Sequence, residues 1–244
     1  MGVSTISLGL GLGGGKAATS SGRLAGGGFN KFSVSFDESD DFVSFGTINS
    51  LSSVSAYSVS VWYKKSNASK EGMMLGAGNG NHGFYIQHFS NNNIYVGFNN
   101  ANSTFANVSA VSDTNWHNIV YSYGSSSHKL YWDGSDMSLG GTPPSSTHST
   151  LGDTFYLGKW DTYAPHFGGE IDEVAIFNSA LSASNVTSIY NSGVPNDISA
   201  LSPVNWWRMG DNNNGEGLTV TDQGSGGNNG TLTNGPTFST NVPS

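Results

Sequence analysis

There is no cysteine anywhere in these 244 residues. Disulfides and thiol chemistry are excluded by that absence, although the compartment is not fixed by it. Charge is scarce as well: charged residues make up 11% of the chain, and nine Lys and Arg face seventeen Asp and Glu, for a formal net charge of −8. Nucleic-acid binding rests on several basic contacts to phosphate, and only Lys64, Lys65 and Lys70 stand near one another, so nucleic acid is not an expected partner. No run approaches the ~20 apolar residues of a membrane span. The N-terminus lacks the basic start and solid apolar block of a signal peptide.

Glycine is abundant, with 34 copies, and Phe, Tyr and Trp number 13, 10 and 6. That many aromatics can fill a core, so the polarity is not read as disorder. Short stretches alternate apolar and polar residues with the period of a strand: "FSVSF", "DFVSF", "YSVSVWY", "GFYIQHF", "NIYVGFN", "WHNIVYSY", "KLYWDG", "TFYLGKW" and "GEIDEVAIF". In "YSVSVWY" Tyr57, Val59, Val61 and Tyr63 fall on one face and Trp62 on the other. Gly, Asn, Ser or Asp stand at nearly every break, as turns require. Turn signals every 8–12 residues or so predict a β-sandwich or jelly roll. One short helix interrupts the strands in "LSASNVTSIYNSG", with Ser182 placed to cap it, Val186 and Ile189 at helical spacing, and Gly193 where its C-terminus wants a glycine.

"FSVSFDESDDFVSF", "SVSVWYK", "TNWHNIVYSYGSSSHKLYWDG", "LGKW" and "FGGEIDEVAIFNSALSASNVTSIYN" resemble, in this order, the laminin-G-like jelly roll of the concanavalin A-like lectin/glucanase superfamily. The resemblance covers about Phe32 to Asn191. It implies an all-β jelly-roll sandwich with one short helix, and says little of function, because that fold hosts many. The tail "NWWRMGD…TVTDQGSGGNNGTLTNGP" looks like the stretch that normally precedes the family's first strand, yet here it follows the last one. Two readings compete, a permuted return to the same sandwich and the start of a second, incomplete unit. The first is favoured because the termini of compact domains often lie close together. The chain thus divides into a glycine-rich arm at 1–28, the jelly roll at 29–194, and a linker with tail strands at 195–244.

The sharpest catalytic candidate is "EIDEV". Glucanases of the resembled superfamily carry E-x-D-x-E on one strand, where residues i, i+2 and i+4 share a face and can bring two carboxylates to the ~5–5.5 Å of a retaining glycosidase. Here Glu170 and Asp172 share a face, position 174 is Val, and strict alternation turns Glu173 the other way. The acid is missing, so no enzyme is expected. The histidines show no H-E-x-x-H pairing, and the glycine runs lack the G-K-[ST] end of a phosphate loop.

Members of the resembled family often hold one structural calcium at the sandwich rim, which makes Asp37, Asp40, Asp41, Asp172, Glu173 and Asp222 candidate ligands. Calcium takes six to eight oxygens in flexible geometry. A glycan-binding surface needs aromatics beside polar groups. "KWDTYAPHFGG" offers Trp160, Asp161, Tyr163 and His166, and "GAGNGNHGF" offers Asn79, Asn81 and His82.

The arm raises a separate question. Ile6, Leu8, Leu10 and Leu12 alternate with serine and glycine, so the segment presents one apolar edge on a backbone too glycine-rich to order itself. Such a segment gains contacts by adding to a partner's strand edge. Together with the standalone size, it resembles phage virion proteins that carry this fold. The expected function is a non-catalytic virion structural protein, in the capsid decoration or the tail, anchored by its arm to other virion proteins or to copies of itself. It would display the lectin-like domain at the virion surface, toward cell-surface glycans. The alternative is a secreted or cell-surface carbohydrate-binding module.

Overall fold

A computed structural model describes residues 29–48, 54–79, 82–98, 102–107, 112–124, 127–137, 139–140, 154–161 and 165–244. The arm with Ile6, Leu8, Leu10 and Leu12 lies outside them, as do Asn81, Tyr163 and the side chains of Asn79 and His82.

The first strands are β1 (Ser33–Asp37), β2 (Phe42–Thr47), β3 (Tyr57–Lys65), β4 (Gly72–Asn79), β5 (His82–His88) and β6 (Asn93–Phe98). They are followed by β7 (Asn102–Asn107), β8 (Trp116–Gly124), β9 (Ser127–Trp132), β10 (Ser135–Met137), β11 (Leu139–Gly140), β12 (Thr154–Leu157) and β13 (Gly168–Phe177). Helix α1 (Ala183–Tyr190) precedes β14 (Asn205–Trp207), β15 (Thr219–Val220), β16 (Gly230–Thr233) and β17 (Thr237–Ser239).

Pairing is antiparallel throughout the two sheets. Among the described residues one has eight strands in the order β10-β9-β8-β3-β13-β1-β17, with β14 also on β13, and the other has nine, β11-β7-β6-β5-β4-β12-β2-β16-β15. This is the jelly-roll sandwich that alternation implied. Tyr57, Val59, Val61 and Tyr63 of β3 enter the core between the sheets with Phe84, Ile86, Val43, Phe155 and Leu157. Trp62, on the opposite face of β3, stacks on Tyr190 of α1 at 5.8 Å.

The outer face of the eight-stranded sheet is covered by α1. Val186 and Ile189 pack there with Val120, Tyr131, Ala175 and Phe177. Ser182 caps the helix by accepting from Asn185 N, and the Asn185 side chain accepts from Ser182 N in return. The left-handed residue at its other end is Asn191 (φ 45°), ahead of the expected Gly193.

The tail enters both sheets. β14 pairs with β13, β16 with β2 and β17 with β1. Trp207 joins the core, while its neighbour Trp206 joins the outer cluster beside α1.

Candidate functional site

A rim of acids is built by the turn between β1 and β2. Asp41 Oδ2 accepts from Asp37 N at 2.9 Å, and Asp37 Oδ1 accepts from Ser39 N at 2.8 Å. The turn is thereby folded tightly enough that Asp37, Asp40 and Asp41 each offer a carboxylate oxygen within 4.8 Å of the others. Burial, together with the charges of Asp37 and Asp40, raises the Asp41 carboxyl above its ordinary range, against the Asp37 N–H bond and the nearby His166. These three residues could hold a divalent cation through oxygen.

The remaining metal candidates stand elsewhere. Asp222 is committed to the tail, where Oδ1 accepts from Trp206 N (2.9 Å) and Gly224 N (2.8 Å), and Oδ2 from Asn205 Nδ2 (2.5 Å) and Asn228 N (2.9 Å). Asp172 and Glu173 belong to a buried network on the outer side of β13. The expectation that Glu173 turns away from Asp172 is corrected here. The ladder between β13 and β3 shifts register between Asp172 and Ala175, and Glu173 takes a positive φ of 43°. This bulge breaks the alternation, so that Glu173 meets Trp206 Nε1 at 2.7 Å and Asp172 meets Asn30 Nδ2 at 2.8 Å. Glu170 accepts from Asn241 Nδ2 at 3.1 Å.

Next to the acidic turn, the chain from β12 to β13 runs along the nine-stranded sheet. Gly158 N donates to Met74 O (3.0 Å), Met73 N to Pro165 O (3.2 Å), and Phe167 N to Gly158 O (2.9 Å), which closes the loop on itself. Gly158 has a φ of +84° and so little room that a Cβ would meet Asp41 O at 2.8 Å. The acidic turn and the loop therefore share a corner of the sandwich.

Trp160 plugs this loop into the sheet. It is 5% exposed, its indole N–H donates to Ala77 O at 3.2 Å, and it fills the space where a Cβ on Gly76 would stand. Its ring therefore packs instead of projecting into solvent. Asp161 and His166 are half-buried on the same loop. Asn79 and His82 pair at the hairpin end of β4 and β5, whereas Met73 bonds the loop near the start of β4. The structure thus separates His166, which bridges to Met73, from the hairpin by most of a strand's length, whereas Trp160, bonded to Ala77, stands two residues from Asn79 along β4.

Alternation on this sheet sends Phe84, Ile86, Val43, Phe155 and Leu157 inward. Tyr85, Phe42 and Tyr156 therefore lie on the outer face, each half-buried. The register lines up Gly97, Tyr85, Gly76, Tyr156, Ser44 and Thr231 as one row across β6, β5, β4, β12, β2 and β16. The glycines give the rings room: a Cβ on Gly97 would fall 1.9 Å from Tyr85 Cζ. Tyr85 and Trp160 pack with centroids 4.8 Å apart. Farther along the row, Lys159 Nζ lies 3.9 Å from the Phe42 ring centre and 4.6 Å from that of Tyr156. Half-buried rings beside a cation and the hydroxyls of Ser44 and Thr231 can hold a ligand with both C–H faces and polar groups. Tyr85, Tyr156, Phe42 and Lys159 are not among the candidates drawn from the sequence, because alternation points first to the buried half of each strand. The signal was present, in aromatics at outward parity.

Similarity to known proteins fits this architecture. A family model described as the concanavalin A-like lectin/glucanases superfamily matches residues 37–187. No curated protein matches the chain in sequence. Among solved structures, a proposed carbohydrate binding protein from Bacteroides ovatus is similar with a TM-score of 0.65 and 14% identity, over 88% of this chain and 61% of that one. The chain thus spans about three fifths of that protein's length. The CBM40 of the Ruminococcus gnavus IT-sialidase, bound to α2,3-sialyllactose, is similar with a TM-score of 0.52 and 14% identity, over 65% of this chain and 96% of that one. Domain 4 of a Geobacillus stearothermophilus extracellular arabinanase, in complex with arabinotriose, gives 0.50 and 20%, over 65% and 76%. At such identities the likeness is one of fold.

Proposed function

The chain belongs to the concanavalin A-like lectin/glucanases superfamily, and we propose that it is a non-catalytic carbohydrate-binding protein whose ligand lies on the outer face of the nine-stranded sheet. The observation that carries this reading is the row in which Tyr85 and Tyr156 stand in register with the hydroxyls of Ser44 and Thr231, with Lys159 over Tyr156. Aromatic rings stack on the C–H faces of sugars, while hydroxyl and ammonium groups meet their oxygens. Two proteins of similar fold are complexed with sialyllactose and arabinotriose, which supports a saccharide as the ligand class.

Catalysis is absent from this reading because Val174 stands where the acid of an E-x-D-x-E strand would be, and because Asp172 and Glu173 are buried. Turnover of a β-glucan panel that disappears in Glu170→Gln would overturn that part. Calcium enters only through Asp37, Asp40 and Asp41, and a melting temperature raised by calcium and restored by a chelator is the outcome that supports it. The virion role expected from the arm gains no support from the fold or from the similar proteins. We therefore advance the carbohydrate-binding alternative in its place.

The deciding experiment is a glycan array followed by titration calorimetry on the native protein, Tyr85→Ala and Tyr156→Ala. One aromatic contact is worth about 0.5–1.5 kcal/mol, so each variant should lose up to about tenfold in affinity while melting normally. Affinity unchanged in both variants, or no binding by the native protein, defeats the reading.

A further inference from the structure

On the side of the sandwich opposite the aromatic row, a cleft of about 340 Å³ opens between the segment before β14 and the turn after β15. Its walls carry Ser199, Ser202, Pro203, Trp206, Gln223 and Ser225. We propose that this cleft is a second saccharide site, taking one or two residues of a neutral sugar.

The cleft is built into the backbone. Gln223 N donates to Trp206 O at 2.8 Å and Gly226 N to Val204 O at 2.6 Å. Asp222 Oδ1 accepts from both Trp206 N and Gly224 N, at 2.9 and 2.8 Å, and so ties the two walls together. Gly224 presses so closely on the opposite wall that a Cβ would come within 2.4 Å of Val204 O. Such a cleft exists before any ligand arrives, which lowers the ordering cost of binding.

Its chemistry is uncharged. The serine side chains offer three hydroxyls, and Gln223 offers a carboxamide, on residues that are all exposed. Each of these groups both donates and accepts, which suits sugar hydroxyls. Trp206 is buried, with its indole N–H spent on Glu173 and Phe29 stacked on it at 6.2 Å, so with the buried Pro203 it closes the base of the cleft as apolar carbon and is not a stacking platform. None of the described residues that line the cleft is charged, and Arg208, 5.4 Å from the Trp206 ring centre, is already paired with Glu173 and Asp211, which disfavours an acidic sugar or a phosphate. The volume lies at the lower end of ligand pockets, which run from about 300 to 1,000 Å³, so it takes a small unit and not a long chain.

The site stands independently of the aromatic row, and the test separates the two. The full chain is titrated with glucose, galactose, mannose, N-acetylglucosamine and their disaccharides, and with N-acetylneuraminic acid and glucuronate for comparison, following the indole N–H signals of ¹⁵N-labelled protein. Ser225→Trp, on an exposed turn, fills the cleft without touching its walls' hydrogen bonds, and Tyr85→Ala reports on the other face. A neutral sugar should shift the signal that is hydrogen-bonded to Glu173, with at least tenfold weaker affinity in Ser225→Trp and an unchanged one in Tyr85→Ala. The proposal is overturned if no neutral sugar shifts that signal, if the response survives in a folded Ser225→Trp, or if only sialic acid or a uronate produces it.

Discussion

Arg208 and Glu173 meet at 3.0 Å, Nε to Oε1, with side chains only 12% and 4% exposed. The same guanidinium donates from Nη2 to Asp211 Oδ2 at 2.5 Å and to the carbonyl of Phe29. Asp211 Oδ1 in turn accepts from Lys31 N and Phe32 N, at 2.8 and 2.9 Å. The lead-in to β1, the bulge of β13 and the tail are thereby tied at one buried point. Removing one member strands the others, which costs about 3–5 kcal/mol for a broken buried pair. Arg208→Met should therefore lower the urea midpoint severely, and a midpoint within error of the native one would show that the network does not hold these segments.

Asp172 answers differently because, among the described residues, no cation pairs with it. Its partners are Asn30 Nδ2 and Glu173 N, and Asn30 Oδ1 is buried without a hydrogen bond among the described residues. In Asp172→Asn the new amide can donate to that oxygen once Asn30 rotates by half a turn. Stability equal to or above that of the native protein at pH 8 is expected. A loss beyond about 1 kcal/mol, a typical hydrogen bond's worth, contradicts it.

The same cluster makes stability depend on pH. Burial, then the neighbouring Glu173 charge, raises Asp172 far above an ordinary carboxyl. Burial also pushes Glu173 up to about 7 despite Arg208 and Trp206. A carboxyl whose folded value is raised favours the folded state below its unfolded value, and that contribution disappears as pH rises through the folded value. His88 works in the opposite sense, since burial and the Lys65 charge lower it to about 3, so acid removes its contribution. The difference between proteins isolates the carboxyls: the advantage of Asp172→Asn over the native chain should grow from pH 5 to pH 8. Parallel melting curves across that range would rule this out.

Much of the fold was legible because strands of a sandwich announce their buried face. Tyr57, Val59, Val61 and Tyr63 enter the core as their spacing requires, and Trp62 leaves it. The Ser182 cap was legible for a similar local reason. The bulge at Glu173 was not, since alternation assumes an unbroken ladder and nothing local marks the extra residue. Whether Trp160 faces a ligand or the sheet is not legible, because the glycine that receives it, Gly76, is far away in sequence. Contacts of that kind arise only once β12 lies beside β4.

Those glycine gaps can be tested. A Cβ on Gly97 would sit 1.9 Å from Tyr85, and one on Gly76 would sit 2.6 Å from Trp160. Forcing either ring aside resembles overpacking, at about 1–3 kcal/mol. Gly97→Ala should weaken glycan binding more than it lowers the melting temperature, because the displaced ring lies on the outer face. Unchanged affinity would detach Tyr85 from the site.

The tail provides the last test. Trp207 is fully buried, stacks on Phe155 at 5.7 Å, lies 4.1 Å from Phe45, and donates its indole N–H to Asn228 O at 2.7 Å. Trp207→Ala removes that ring from between the two sheets and should cost about 3–5 kcal/mol. Deleting residues 204–244 goes further, because β17 and β16 cover the edges of β1 and β2. Exposed strand edges next to an opened core template aggregation, so the shortened chain should be recovered insoluble or unfolded. Recovery of a soluble, glycan-binding protein with native melting would mean that the remaining strands close the core without the tail, and that β14 to β17 only decorate it.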